Sequence, residues 1–182
     1  VETQAVDLGG STEVRCLRCG LPLEPRPRSS GTPAGFRRAL VADDARFFRE
    51  AMKDFLSSES LVRQVTVAVD GAEAVERTVT AYRERRPPDL FILDLLMPRL
   101  NGLLAAVAIR AVERAFGAEP APVVFFSSRR LDAGLKPLLE SLAPAFYVNK
   151  GPGTQQILGE RLSRVLAAVR RGFPLDLPGG RG

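Results

Sequence analysis

FILDLLMPRLNG, residues 91–102, runs three apolar residues into one aspartate, Asp94, and then through Met-Pro to Asn-Gly. An ionised carboxylate at the end of an apolar run is costly to desolvate unless something pairs with it. Asp94 therefore either caps a loop or is displayed for chemistry. The segments on either side of it decide between the two.

Short apolar runs recur along the chain, each followed by a segment with helical spacing. ALVA (39–42) ends at Asp43-Asp44 and precedes ARFFREAMKDFL (45–56). In that segment Phe47, Phe48, Ala51, Met52, Phe55 and Leu56 fall on one helix face. VTVAV (65–69) ends at Asp70-Gly71 and precedes AEAVERTVTAY (72–82). LFIL (90–93) ends at Asp94 and precedes GLLAAVAIRAVERAF (102–116). PVVFF (122–126) ends at Ser127-Ser128 and precedes LDAGLKPLLESL (131–142), where Gly134 and Pro137 weaken the helical start. AFYVN (145–149) ends at Lys150 and precedes TQQILGERLSRVLAAVRRG (154–172). Helical crossovers force strands to run parallel, and right-handed crossovers put helices on both faces. Strands covered on both faces read as continuous apolar runs, as these do. The predicted fold is a (βα)5 doubly wound α/β sheet of five parallel strands, with its chemistry at the C-terminal strand ends.

Composition narrows the function classes. With 182 residues, the chain is long enough for one full domain plus extensions. No apolar run reaches the length of a membrane span. The first residues, VETQAVDLGG, are polar and acidic and do not resemble a secretory signal, so a cytoplasmic location is expected. The net charge of +5 comes from arginines scattered among acids, which reads as solvated surface rather than a nucleic-acid stripe. Histidine is absent, which excludes Ser-His-Asp catalysis within the chain and leaves carboxylates or thiolates as the metal ligands.

Three regions are expected. Residues 1–36 form an extension that holds the CLRCG knuckle and the linker PLEPRPRSSGTPAG (22–35). Residues 37–172 form the domain, and 173–182 a frayed tail. Cys16 and Cys19 are the sole cysteines, so no disulfide framework supports the core. A structural zinc site needs four ligands. The pair is therefore inert, or holds Zn²⁺ with a second copy in a homodimer or with a partner, or is redox-active.

The strand ends bring Asp43, Asp44, Asp94, Ser127 and Lys150 to one edge. Carboxylates packed together repel unless a cation neutralises them. Mg²⁺ suits this set, taking one or two carboxylates together with phosphate oxygens. An aspartate beside it can attack phosphorus. Lys150 and Ser127 would then supply a positive charge and a hydrogen-bond donor to the phosphoryl oxygens.

LVADD, FILDLLMPRLNG, VVFFSS and YVNK, in that order, resemble the hallmark segments of bacterial two-component response-regulator receiver domains, the chemotaxis response regulators among them. The resemblance covers about residues 37–172. It implies a flavodoxin-like strand order of 2-1-3-4-5. It also implies Asp94 as phosphoacceptor, Asp44 as a direct Mg²⁺ ligand, Asp43 as one acting mostly through water, and the Leu96 carbonyl as the last protein ligand. Ser127 is the hydroxyl that moves to the phosphoryl group, Tyr147 the switching aromatic, and Lys150 the partner of Asp94 or its phosphate. One departure stands out. The family usually has proline after the lysine, with a cis bond before it, whereas here the order is Lys150-Gly151-Pro152. A non-proline cis bond is costly, so a trans bond or a shifted loop is expected.

Plainer roles exist for the same residues. Asp43-Asp44 could serve as a helix N-cap, Asp94 as a loop cap, and Ser127 or Ser128 as a cap of the next segment. Tyr147 could be strand filler and Lys150 a surface lysine. Met97-Pro98 and Asn101-Gly102 read as turn chemistry. The set taken together favours a stand-alone phosphorylation switch that is not an enzyme. A sensor histidine kinase or phosphotransfer protein would load Asp94, and the face of the fourth helix, fifth strand and fifth helix would change its affinity for a downstream protein. The alternative is a degenerate receiver that binds protein without phosphorylation. An aspartate-nucleophile phosphohydrolase would want an acid at position 96, where leucine stands. A nucleotide- or flavin-binding fold would want a glycine-rich loop after the first strand. Apolar Leu96, near the phosphoryl group with Arg129 by the same resemblance, implies a long-lived phosphoryl group.

Overall fold

The computed structural model describes residues 3–7, 12–16, 35–128, 134–150 and 155–171. The chain divides into two units, Val1–Pro33 and Ala34–Gly182. The first contains an antiparallel hairpin of β1 (Thr3–Asp7) and β2 (Thr12–Cys16), with Thr3 opposite Cys16. The hairpin lies within residues 1–36, for which the sequence pattern predicts only an extension.

The second unit alternates strand and helix: β3 (Phe36–Ala42), α1 (Arg46–Ser58), β4 (Val62–Ala68), α2 (Gly71–Arg83), β5 (Leu90–Leu93), α3 (Gly102–Ala115), β6 (Val123–Ser127), α4 (Leu135–Ser141), β7 (Ala145–Asn149) and α5 (Gln155–Arg171). All neighbouring strand pairs are parallel, in the order β4-β3-β5-β6-β7. Counted within this sheet, that is the predicted 2-1-3-4-5. No helix among the described residues is long and apolar enough to cross a membrane.

Strand alternation sorts the core into two layers. Leu40, Phe91, Leu93, Val123, Phe125 and Tyr147 join one cluster with Ala74, Ala105, Ile109 and Leu139 of α2, α3 and α4. Val41, Leu90, Ile92, Val124, Phe126 and Val148 join the other with Met52, Leu56, Leu162 and Leu166 of α1 and α5. Every residue of β5 is buried, as a central strand covered on both faces requires.

Two strands start earlier than the apolar runs imply. β3 includes Arg37 and Arg38 because both of their amides donate to the Asp89 carboxylate, at 2.9 and 2.8 Å. β4 is an edge strand and leaves Arg63 and Gln64 exposed, so its polar start carries no burial penalty. α4 begins at Leu135 rather than at 131, and residues 131–133 lie outside the described residues. Pro137 falls in the first turn of α4, where a helix has no intrahelical use for an N–H.

Two polar ties fix the ends of the layers. Glu113 of α3 is buried, accepts from the Ala121 amide at 2.9 Å and pairs with Arg110 at 2.6 Å. The Arg110 guanidinium also donates to the Leu142 carbonyl, at 3.0 and 2.9 Å, and to that of Pro144, at 3.3 Å. Asp70 is the N-cap of α2 and accepts from the Glu73 amide at 3.0 Å. It also pairs with Arg99, a residue at φ 60° in the loop after β5. Burial pushes the Asp70 carboxyl up, but the Glu73 amide and Arg99 outweigh it and hold it below the usual 3.8. A carboxylate with a lowered folded-state pKa stabilises the fold above its unfolded value and loses that contribution as pH falls. Asp70→Asn keeps a capping oxygen but loses the charge. Its stability deficit in urea titrations is expected to be full above pH 3.8 and to shrink as pH drops through the folded-state value. A deficit independent of pH would contradict this.

Candidate functional site

The parallel register builds the site. Ala42 of β3 is level with Leu93 of β5, so the next residues, Asp43 and Asp94, emerge side by side. The ladder continues one step beyond the strands, where the Asp94 amide donates to the Ala42 carbonyl at 2.9 Å. At the far edge the Lys150 amide donates to the Ser127 carbonyl at 2.8 Å. The long side chain of Lys150 reaches back over the strand ends. Its Nζ donates to Asp43 Oδ2 at 2.6 Å and to Asp94 Oδ2 at 2.8 Å. All three residues are buried, at 4%, 6% and 6% exposure for Asp43, Asp94 and Lys150, so this is no surface lysine.

Asp44 is exposed beside them, and carboxylate oxygens of Asp43, Asp44 and Asp94 lie within 4.8 Å of one another. This is the sole such acidic or thiolate cluster among the described residues. Asp43-Asp44 is not the helix cap. Ala45 occupies that position without a side-chain bond, while Asp43 Oδ1 accepts from the Ala45 amide at 2.9 Å. Burial pushes the Asp43 carboxyl above its usual 3.8; Lys150 opposes the rise and the Asp94 charge adds to it. One ammonium among three carboxylates leaves an excess of negative charge, which a hard divalent cation with oxygen ligands would neutralise.

The loop after Asp94 is folded back tightly. The Leu96 amide donates to Asp94 Oδ1 at 3.2 Å, and Leu96 is 52% exposed. Asn101 caps α3 by accepting from the Leu104 amide at 2.9 Å. A Cβ on Gly102 would collide with the Asp94 carbonyl, so only glycine allows α3 to start this close to the site. Ser127 is fully buried at the end of β6. Tyr147 is buried in the α2–α3–α4 layer, and its hydroxyl accepts from Asn149 Nδ2 at 3.1 Å.

Two neighbours join the site through contacts that the sequence pattern does not signal. Arg49 of α1 donates to the Asp43 and Asp44 carbonyls, at 2.7 and 2.8 Å. The Phe48 ring lies over the Lys150 ammonium, 4.4 Å from Nζ to centroid. Their helical spacing signalled only a core face and a surface arginine. Cys16 closes β2, whereas Cys19, Arg129, Gly151 and Pro152 lie outside the described residues.

The model of the response regulator receiver domain matches residues 39–150. The chain belongs to the response regulator receiver family. Receiver domains typically take a phosphoryl group on an aspartate in two-component signalling, bind Mg²⁺ at acidic residues and meet histidine kinases and phosphotransfer proteins. This receiver is 36% identical over 105 residues to a protein-glutamate methylesterase/protein-glutamine glutaminase of Vibrio parahaemolyticus, covering 58% of this chain and 25% of that protein. It is 35% identical over 138 residues to the enzyme of the same name from Caldanaerobacter subterraneus, covering 72% and 35%. The chain thus spans only a quarter to about a third of the length of these curated relatives. Among solved structures, it is similar to the response regulator domain of Thermotoga maritima CheB, with 28% identity and a TM-score of 0.60 over 76% of this chain and 98% of that one.

Proposed function

We propose that this receiver takes a phosphoryl group on Asp94 and switches the binding of a partner protein. The observation that carries the reading is the placement of Lys150 Nζ between Asp43 and Asp94, with Asp44 beside them, at the C-terminal edge of a parallel sheet. Mg²⁺ held by Asp43, Asp44, Asp94 and the Leu96 carbonyl would screen the carboxylates and the incoming phosphoryl oxygens from one another.

The rest is done by the chain itself. The Asp94 carboxylate attacks phosphorus, the P–N bond to the donor imidazole breaks, and the imidazole nitrogen takes up a proton. Lys150, already hydrogen-bonded to Asp94, pairs with the new charge. Ser127 is drawn to a phosphoryl oxygen, and Tyr147 on the neighbouring strand moves with it. The face of α4, β7 and α5 then changes its fit to a downstream protein. The donor is a sensor histidine kinase or a phosphotransfer protein.

The test is intact-mass measurement after exposure to acetyl phosphate with Mg²⁺. A single phosphoryl adduct is expected. No adduct overturns the proposal, and no Mg²⁺ binding besides favours a degenerate receiver that binds its partner constitutively.

Leu96 sets the lifetime of the product in this reading. Its exposed side chain adjoins Asp94 and offers no polar atom to orient an attacking water. Leu96→Asn is expected to shorten the acyl phosphate lifetime about tenfold, a barrier change of about 1.4 kcal/mol. An unchanged dephosphorylation rate would refute this.

A further inference from the structure

We propose that Phe48 is a positioning residue for phosphoryl transfer, holding the Lys150 ammonium over Asp94 through its ring face; the inference rests on the phosphoacceptor reading above. The Lys150 side chain is 8% exposed, so bulk water does little to solvate its charge. Its two carboxylate partners hold it from below, at 2.6 and 2.8 Å. The Phe48 centroid at 4.4 Å and the Phe126 centroid at 5.9 Å bring two rings within cation–π range, with Phe48 much the closer. Phe48 is itself fixed. It packs against the α1–α5 core layer and meets Phe47 edge-on, with centroids 6.0 Å apart at 77°. The next residue, Arg49, ties α1 to the carbonyls of Asp43 and Asp44. One turn of α1 therefore locks the acid pair and covers the ammonium together.

A ring suits this task better than a further carboxylate or an aliphatic side chain. When Asp94 takes up phosphorus, Lys150 must shift from a carboxylate oxygen towards the phosphoryl group. Its hydrogen bonds to the carboxylates are directional and belong to the resting arrangement. The negative face of an aromatic ring attracts a cation over a broad range of positions and brings no anion that would compete for Lys150. The ring also keeps water from the ammonium, which strengthens its pull on the incoming charge.

Three proteins test this: wild type, Phe48→Leu and Phe48→Tyr. Leucine fills the core position without a π face, whereas tyrosine keeps the face. Adduct formation from acetyl phosphate is expected to slow about tenfold in Phe48→Leu and to return close to the wild-type rate in Phe48→Tyr. Mg²⁺ affinity, read by calorimetry, should stay unchanged in both, which separates lost positioning from lost folding. The second readout needs no phosphorylation. In NMR spectra the Lys150 Hε protons should be shifted upfield by the ring current in wild type and Phe48→Tyr, and should lose most of that shift in Phe48→Leu, where only the more distant Phe126 ring remains. A wild-type rate in Phe48→Leu, or ordinary Hε shifts in the wild type, overturns the inference. If the wild type takes no phosphoryl group, the phosphoacceptor reading fails by itself. The Hε shifts then still decide whether Phe48 holds Lys150.

Discussion

Asp94→Asn is expected to take up no phosphoryl group from acetyl phosphate and Mg²⁺, under conditions in which the wild type carries one. The loss should be complete rather than graded. A carboxamide is no nucleophile towards phosphorus, and Asp43 and Asp44, though near, hang from β3 rather than from β5. The fold should survive the change. Asn matches Asp in shape, and Lys150 keeps its 2.6 Å bond to Asp43. The substitution also removes a charge that helps push the Asp43 carboxyl upward, so Asp43 becomes easier to ionise. Asp94→Asn is therefore expected to unfold at no lower a temperature than the wild type while remaining unlabelled in the mass spectrum. An adduct of wild-type extent on Asp94→Asn would place the acceptor elsewhere.

The largest stability effect is expected far from that edge. Glu113→Ala removes the carboxylate that pairs with Arg110, whose side chain is only 10% exposed, and deprives the Ala121 amide of its acceptor. Breaking one partner of a buried pair leaves an uncompensated charge and typically costs about 3–5 kcal/mol. For a chain of this size the midpoint of thermal unfolding should fall by on the order of 10 °C. Glu113→Gln keeps an acceptor for Ala121 and should fall less. Arg110→Leu combined with Glu113→Leu removes both charges and should recover much of the loss, because an apolar pair of similar volume often matches a buried ion pair. A Glu113→Ala protein as stable as the wild type in urea would show that water reaches Arg110 freely.

The fold was legible in the sequence wherever burial forced a pattern. LFIL is buried at every position, and so it reads as an uninterrupted apolar run. The Asp43, Asp94 and Lys150 set was legible for a related reason. A polar residue directly after such a run lies one step beyond the sheet, and parallel register brings these steps together. Edges were less legible. β4 begins with Val62-Arg63-Gln64, because an edge strand can leave two polar residues in solvent. β3 runs back through Arg37 and Arg38, because a distant carboxylate, Asp89, takes their amides. The β1–β2 hairpin carries too few apolar residues to stand out by alternation. Phe48 and Arg49 escaped for another reason. Their contacts arise only when α1 is laid against the ends of β3 and β7, and helical spacing records which face is apolar but not what it covers.

Arg110 also bears on how motion could cross this domain. It grips the carbonyls of Leu142 and Pro144, immediately beyond the C-terminal end of α4. α4 itself is short; its seven residues span about 10 Å. A rod bolted at one end answers a push by tilting rather than by sliding. A displacement of α4 would therefore be smallest at Leu142 and grow along the helix to Leu135. Leu135 lines a shallow cleft with Leu96, Met97 and Leu103, next to the Asp94 loop. In this geometry α4 is held at its C-terminal end by Arg110, and its first turn faces the loop that follows Asp94.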